Sequence, residues 1–305
     1  MGLEALLSMA GFKGEARFSE PMERHTSLRI GGPAEAMVFP ADAQELSRLV
    51  AQAHKAGVPV FFLGKGTNLL VQDGGIPGLV VNTARLDWIE LEPVAGGGPR
   101  LYAGAGVTLA KLLGYCAENG LGGLEFLAGI PGTLGGAVAM NAGTAEAEIK
   151  DVMIYAALMD RSGETRKLTP AELGMSYRHA SVPEGAAVVE AGLAVIPWPA
   201  EEVKERIAAN IRKRKGAQPT KVRSAGSTFK NPPGYSAWRL IDMAGLRGKS
   251  VGAAKVSTVH TNFLINTGGA TARDFRALME LVVDTVEKKL NVQLEPEIKI
   301  VGVEK

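Results

Sequence analysis

Glycine constrains this chain more than any other residue type. It accounts for 38 of 305 residues, against an ordinary usage of about 7%. These glycines fall between short apolar runs and follow no fixed period, which argues against a collagen-like repeat and against disordered low-complexity sequence. A residue without a Cβ can turn the chain sharply or let backbone approach a ligand closely. A globular protein with many tight turns is therefore expected, and its cores are affordable: 46% of residues are hydrophobic and 22% charged. At roughly 150 residues per domain, the length suggests about two domains.

Net charge is only +2, so no bulk attraction to nucleic acid or to a membrane surface is expected. No stretch approaches the ~20 apolar residues needed to cross a bilayer. The N-terminal run carries Glu4 early and is too short in apolar residues for a signal peptide. A soluble cytoplasmic protein with no obligate protein partner is the expectation. A single cysteine rules out an internal disulfide and a multi-cysteine metal centre. Cys116, in an apolar helical stretch, reads as an inert buried thiol. His25, His54, His179 and His260 show no ligand spacing, so no metal is expected.

Short strands alternate with amphipathic helices through the first two-thirds, and an α+β fold is expected. Strands are predicted at 36–39, 58–63, 79–81, 101–103, 152–159 and 187–195, the second of them buried on both faces because it is continuously apolar. A helix starts at Asp42, with Glu45 placed to reach back in a capping box, and Leu46, Leu49, Val50 and Ala53 form its apolar face before Gly57. A second helix covers 108–119. Pro197, Trp198 and Pro199 mark a composition shift and a predicted domain boundary. Beyond it come a charged helix at 201–215 with Val203, Ile207 and Ile211 as its stripe, a strand at 262–265, a helix from Thr271 and a last strand at 297–303. That helix carries Phe275, Leu278, Met279, Val282, Val286 and Leu290 at a 3.6-residue period.

Two glycine-rich blocks follow apolar segments. Gly64, Lys65, Gly66, Thr67, Asn68 and Leu69 can aim successive N–H groups at an anion, although a structural turn accounts for them equally well. Leu69 occupies the sixth position, so the dinucleotide fingerprint of alternating glycines fails. The second block contains Gly129, Ile130, Pro131, Gly132, Gly135, Gly136, Asn141 and Gly143. It suits backbone laid against a large flat cofactor and its pyrophosphate, or a close helix–sheet crossing. Tyr177 with Arg178, the polar loop 224–232 and the carboxylates Glu295 and Glu297 each have a bland reading as surface or turn residues. The basic run 212–215 is explained by a helix C-terminus or by phosphate binding.

Taken in order, residues 25–32, 64–70, 129–143, 177–178, 224–232 and 294–297 resemble the UDP-N-acetylenolpyruvoylglucosamine reductase family over almost the whole chain. The first three blocks are shared with FAD proteins of the vanillyl-alcohol-oxidase type; the last three are specific to the reductases. The resemblance implies a two-subdomain FAD-binding unit at 1–200 (about 1–64 and 65–200) and a substrate domain at 201–296. It further implies a final strand, 297–305, returning to the first unit, and an active site at the junction.

It also implies non-covalent FAD between the two glycine blocks, NADPH as reductant, and UDP-N-acetylglucosamine enolpyruvate as substrate. Arg178 and Glu297 match the family residues that stabilise charge on the substrate carboxylate. Ser227 matches the proton donor, and Lys230 is the expected support for its alkoxide. Tyr177, Lys215, Lys230 and Asn231 are the implied substrate contacts, Lys215 and Asn231 at a diphosphate or the NADPH phosphate. No long insertion follows Arg178, which resembles the shorter branch without a tyrosine lid. A related flavin oxidase would leave the motifs at 224–232 and 294–297 unexplained. A non-catalytic sugar-nucleotide sensor would leave Arg178, Ser227 and Glu297 occurring together for no reason.

Overall fold

The protein is described here by a computed structural model covering residues 2–94 and 98–305. It forms two compact units: Met1–Arg17, Ala36–Lys65 and Gly78–Arg214 make the first, and Phe18–Glu35, Gly66–Pro77 and Lys215–Lys305 the second. The division is discontinuous in sequence and differs from a single boundary at the prolines around Trp198. The helix Ala200–Ala217 explains the difference: Ile207 and Ile211 pack on the first unit's core, so the chain leaves that unit only after Arg214.

Two larger sheets carry strands of the first unit, beside a two-stranded pair of Leu121–Gly122 with Ile196–Pro197. One of the larger sheets runs in the order Glu15–Pro21, Pro33–Phe39, Ile76–Asn82, Val60–Leu63. The helices Leu3–Met9 and Ala43–Lys55 contribute Leu6, Leu46 and Leu49 to its core beside Ala36, Val38, Leu79 and Val81. Asp42 caps the second of these helices by accepting from the Glu45 N–H at 2.8 Å. Glu45 does reach back, but one residue further than a capping box requires, to Ala41 N–H (2.7 Å). Its other oxygen accepts from Lys13 (2.6 Å) and Gly14 (3.1 Å). Burial works to raise this carboxyl's pKa, yet the three backbone donors outweigh it and hold the group below its ordinary value. Val60–Leu63 pairs on one side only, with Ile76–Asn82 in parallel; three of its four residues are half-buried, not enclosed on both faces as its apolar run suggests.

The other sheet is antiparallel, in the order Thr165–Leu168, Met153–Met159, Ala187–Ala194, Arg100–Gly104, Ile89–Glu92. The helix Leu109–Glu118, capped by Thr108, packs Leu109, Leu112 and Cys116 into the core, which also takes Leu127, Leu134 and Val138.

In the second unit a small sheet, in the order Arg223–Ser224, Leu264–Asn266, Ala254–Val256, Ser250–Val251, lies with the helices Ala237–Met243 and Ala272–Leu290. Phe229, Leu240, Ile241, Phe275, Leu278 and Val282 are its buried centre. Thr271 and Asp274 close a capping box at the start of the long helix. The predicted last strand shortens to Lys299–Val301 and pairs in parallel with Leu69–Val71, both strands belonging to this unit. Among the described residues no helix is long and apolar enough to cross a membrane, and no group of three His, Cys, Asp or Glu could hold a metal ion.

Candidate active site

In the first unit the glycine blocks meet. A Cβ on Gly64 would lie 2.5 Å from Thr133 Oγ1, so the approach of the two loops requires glycine there. Thr133 is buried and accepts from the Gly136 N–H at 3.4 Å, capping the short helix Leu134–Ala139. Gly129 and Gly132 have φ of +76° and +145°. Gly135 donates to Ala105 O at 3.0 Å, and a Cβ there would touch Ala105 Cβ at 2.8 Å. The N–H groups of Lys65, Gly129 and Gly132 have no acceptor among the described residues. Ile130 packs on the core, and Lys65, Pro131 and Gly136 are exposed.

Asn141, expected at the cofactor, is fully buried with φ +42° and spends its amide on protein. It donates to Glu148 Oε2 (2.9 Å) and Ser176 O (2.8 Å) and accepts from Lys150 N–H (3.0 Å). This ties the end of the second glycine block to the turn carrying Arg178. In that turn Ser176 and His179 exchange backbone hydrogen bonds at 3.0 Å, with Tyr177 and Arg178 at the tip and Arg178 at φ +54°. Left-handed backbone costs a non-glycine residue of order 1 kcal/mol and recurs at functional positions. The guanidinium donates to Gly143 O (2.9 Å), lies 3.5 Å from Glu148, and sits 5.1 Å from the Tyr177 ring centroid.

Within the basic run 212–215 the sequence singled out Lys215, whereas the structure brings Arg214 to the second glycine block. The Arg214 Cδ lies 2.8 Å from where a Cβ of Gly129 would stand, so it covers the start of that glycine-rich block. The available signal was spacing: Ile207, Ile211 and Arg214 fall four and three residues apart, on one helix face. Lys215, the expected ligand residue, is exposed.

In the second unit, Gly66 has φ +59°, and a Cβ on it would collide with the His25 carbonyl oxygen. Asn68, also expected at the cofactor, donates its amide to Glu297 O at 3.1 Å, while Lys299 N–H donates to Asn68 O at 3.0 Å. Thr67 precedes it, and Leu69 opens the strand against Lys299–Val301. Glu297 N–H donates to Thr228 O (2.8 Å), and Lys230 N–H to Glu295 O (2.8 Å), so residues 228–230 run beside 295–297. Ser227 and Glu297 are thereby carried on adjacent segments. Buried Asn262 grips the first of them, accepting from Phe229 N–H (3.0 Å) and donating to Phe229 O (2.8 Å). The Lys230 ammonium pairs with exposed Glu295 at 2.5 Å. The Ser227 hydroxyl makes no hydrogen bond among the described residues. Asn231 Oδ1 accepts from Ala237 N–H at 2.9 Å, bracing the loop before the helix Ala237–Met243.

Residues 34–169 match an FAD binding domain, and 218–301 match the C-terminal domain of UDP-N-acetylenolpyruvoylglucosamine reductase. A reticuline dehydrogenase variant of berberine bridge enzyme, 15% identical, superposes with a TM-score of 0.50 over 65% of this chain and 44% of its own, a likeness of fold alone. The class is thus an FAD-dependent oxidoreductase that joins an FAD binding domain to the C-terminal domain of the reductases. UDP-N-acetylenolpyruvoylglucosamine reductase of Geobacter metallireducens is 45% identical over 97% of both chains. That of Moorella thermoacetica is 41% identical over 99% of both. The crystal structure of the Thermus caldophilus enzyme is 37% identical, with a TM-score of 0.79 over 94% of this chain and 98% of its own. The chain belongs to the UDP-N-acetylenolpyruvoylglucosamine reductase family. Its own residues fit FAD: loops that only Gly64 allows to touch, with unbonded N–H groups beside them, are what a flat cofactor with a pyrophosphate needs.

Proposed function

We propose that this chain reduces the enolpyruvyl group of UDP-N-acetylglucosamine enolpyruvate, yielding UDP-N-acetylmuramate for peptidoglycan precursors, with NADPH as electron source. Held at Gly64, Lys65 and the 129–143 block, FAD would supply the redox chemistry, the passage of hydride from NADPH to the terminal alkene carbon. The net change adds one hydride and one proton across the carbon–carbon double bond. As hydride arrives, the electron pair moves onto the neighbouring carbon and its carboxylate. Arg178 stabilises that carboxylate, and Glu297, in its protonated form, donates a hydrogen bond to it. Such interactions gain strength only as the charge develops, which is what lowers a barrier. Ser227 gives its proton to the neighbouring carbon. Tyr177, Lys215, Lys230 and Asn231 are assigned to substrate or NADPH.

The observation that carries this reading is the near full-length identity to reductases of this name, with Arg178, Ser227 and Glu297 all standing in their motifs. The anchoring of Arg178 by Gly143 and Glu148 supports it. The test is NADPH oxidation under anaerobic conditions, with and without the enolpyruvyl substrate. Substrate-dependent turnover is expected, and Ser227→Ala should lower kcat by roughly 10²–10⁴, the span of general acid catalysis. A flavin-loaded protein indifferent to the substrate would overturn the assignment.

A further inference from the structure

The second glycine block carries a cation that its motif does not announce. The helix Ala200–Ala217 is fastened to the rest of the first unit at several points. Ile207 and Ile211 pack on the core, Asn210 donates to Glu125 O at 2.8 Å, and Lys213 pairs with Glu146 at 2.8 Å. This fixes where the next residue can reach. The Arg214 stem crosses Gly129, where a side chain of any size would displace it.

The charges around it are unequal. Lys213 has Glu146, and Arg178 has Glu148. Arg214 has no carboxylate within ion-pair distance and no hydrogen-bond acceptor among the described residues. Burial, together with the nearby Arg178 charge, holds Arg214 below the usual arginine range. The Arg214 guanidinium stands beside a loop whose Gly129 and Gly132 N–H groups are also unbonded among the described residues. A fork of N–H donors beside free backbone N–H groups is phosphate-binding chemistry.

We propose that Arg214 is a binding residue for a phosphate group presented at the 129–132 loop, the FAD pyrophosphate being the first source to test. The proposal deepens the FAD assignment of this loop. The experiment titrates FAD into flavin-stripped wild-type, Arg214→Gln and Arg214→Lys proteins and follows flavin fluorescence. Glutamine keeps much of the stem over Gly129 and removes the charge; lysine keeps the charge and loses the fork. Arg214→Gln should weaken FAD binding at least tenfold, with an unchanged thermal midpoint of the flavin-free protein, and Arg214→Lys should fall between.

If FAD binding holds while the KM for the UDP-linked substrate rises tenfold, the phosphate bound is the substrate's, and the assignment of Arg214 stands with that source. Unchanged FAD affinity and unchanged KM would overturn it. Should the glutamine variant misfold, the lysine variant decides by the same two readouts. Wild-type protein that takes up no FAD would overturn the cofactor assignment as well, which separates the two failures.

Discussion

Asn141→Ala tests whether this residue touches the cofactor or builds the frame behind it. The side chain is fully buried and makes three hydrogen bonds, one of them to the Glu148 carboxylate. Two bonds to neutral backbone groups contribute about 1 kcal/mol each, and the bond to a charged acceptor about 2 kcal/mol. Water entering the space left behind recovers part of this, so a net loss of about 3 kcal/mol is expected. Alanine also tolerates φ +42° less well than asparagine, which adds to the loss. For a unit of this size 1 kcal/mol moves a thermal midpoint by about 2–4 °C, so calorimetry should find a drop of about 6–12 °C. Because Ser176 O is one of the lost partners, the turn bearing Arg178 loosens, and kcat should fall even in the flavin-saturated variant. A midpoint within about 2 °C of wild type, together with a collapse of FAD affinity, would refute the structural reading and return Asn141 to the cofactor.

Gly64→Ala forces a Cβ to within 2.5 Å of buried Thr133 Oγ1; overpacking of about 1–3 kcal/mol and a preparation that purifies with little flavin are expected, read by midpoint and by absorbance. Burial, with the Arg247 charge adding to it, holds His260 below its ordinary 6.5. The unfolded chain then takes up a proton that the folded one refuses. Stability from this group is therefore full above about pH 6.5 and is lost as pH falls toward the folded pKa, and His260→Gln should flatten that part of the profile. Burial also pushes the Cys116 thiol to about 12, so a thiol reagent at pH 8 should leave the native protein untouched and label it only in denaturant.

Much of the local structure was legible in the amino-acid sequence. Asp42, Thr108 and Thr271 cap the helices they were expected to start, and the 3.6-residue stripe of the long helix is its buried face. These signals act within about four residues, so a linear string contains them whole. The glycine blocks and the motifs around Arg178, Ser227 and Glu297 were likewise visible, and with them the family.

Only the tertiary structure decided what the polar residues near those motifs do. Asn68 and Asn141 stood in blocks that read as cofactor contacts, yet Asn68 holds Glu297 across 229 residues of sequence and Asn141 holds the Arg178 turn. Lys230 is drawn to Glu295, and Arg214, one of four consecutive basic residues, alone covers Gly129. A polar side chain takes whichever partner the packing brings within about 3 Å. Packing joins segments by apolar burial that is blind to their order in the chain, which is why two N-terminal segments lie in the same unit as the C-terminal residues.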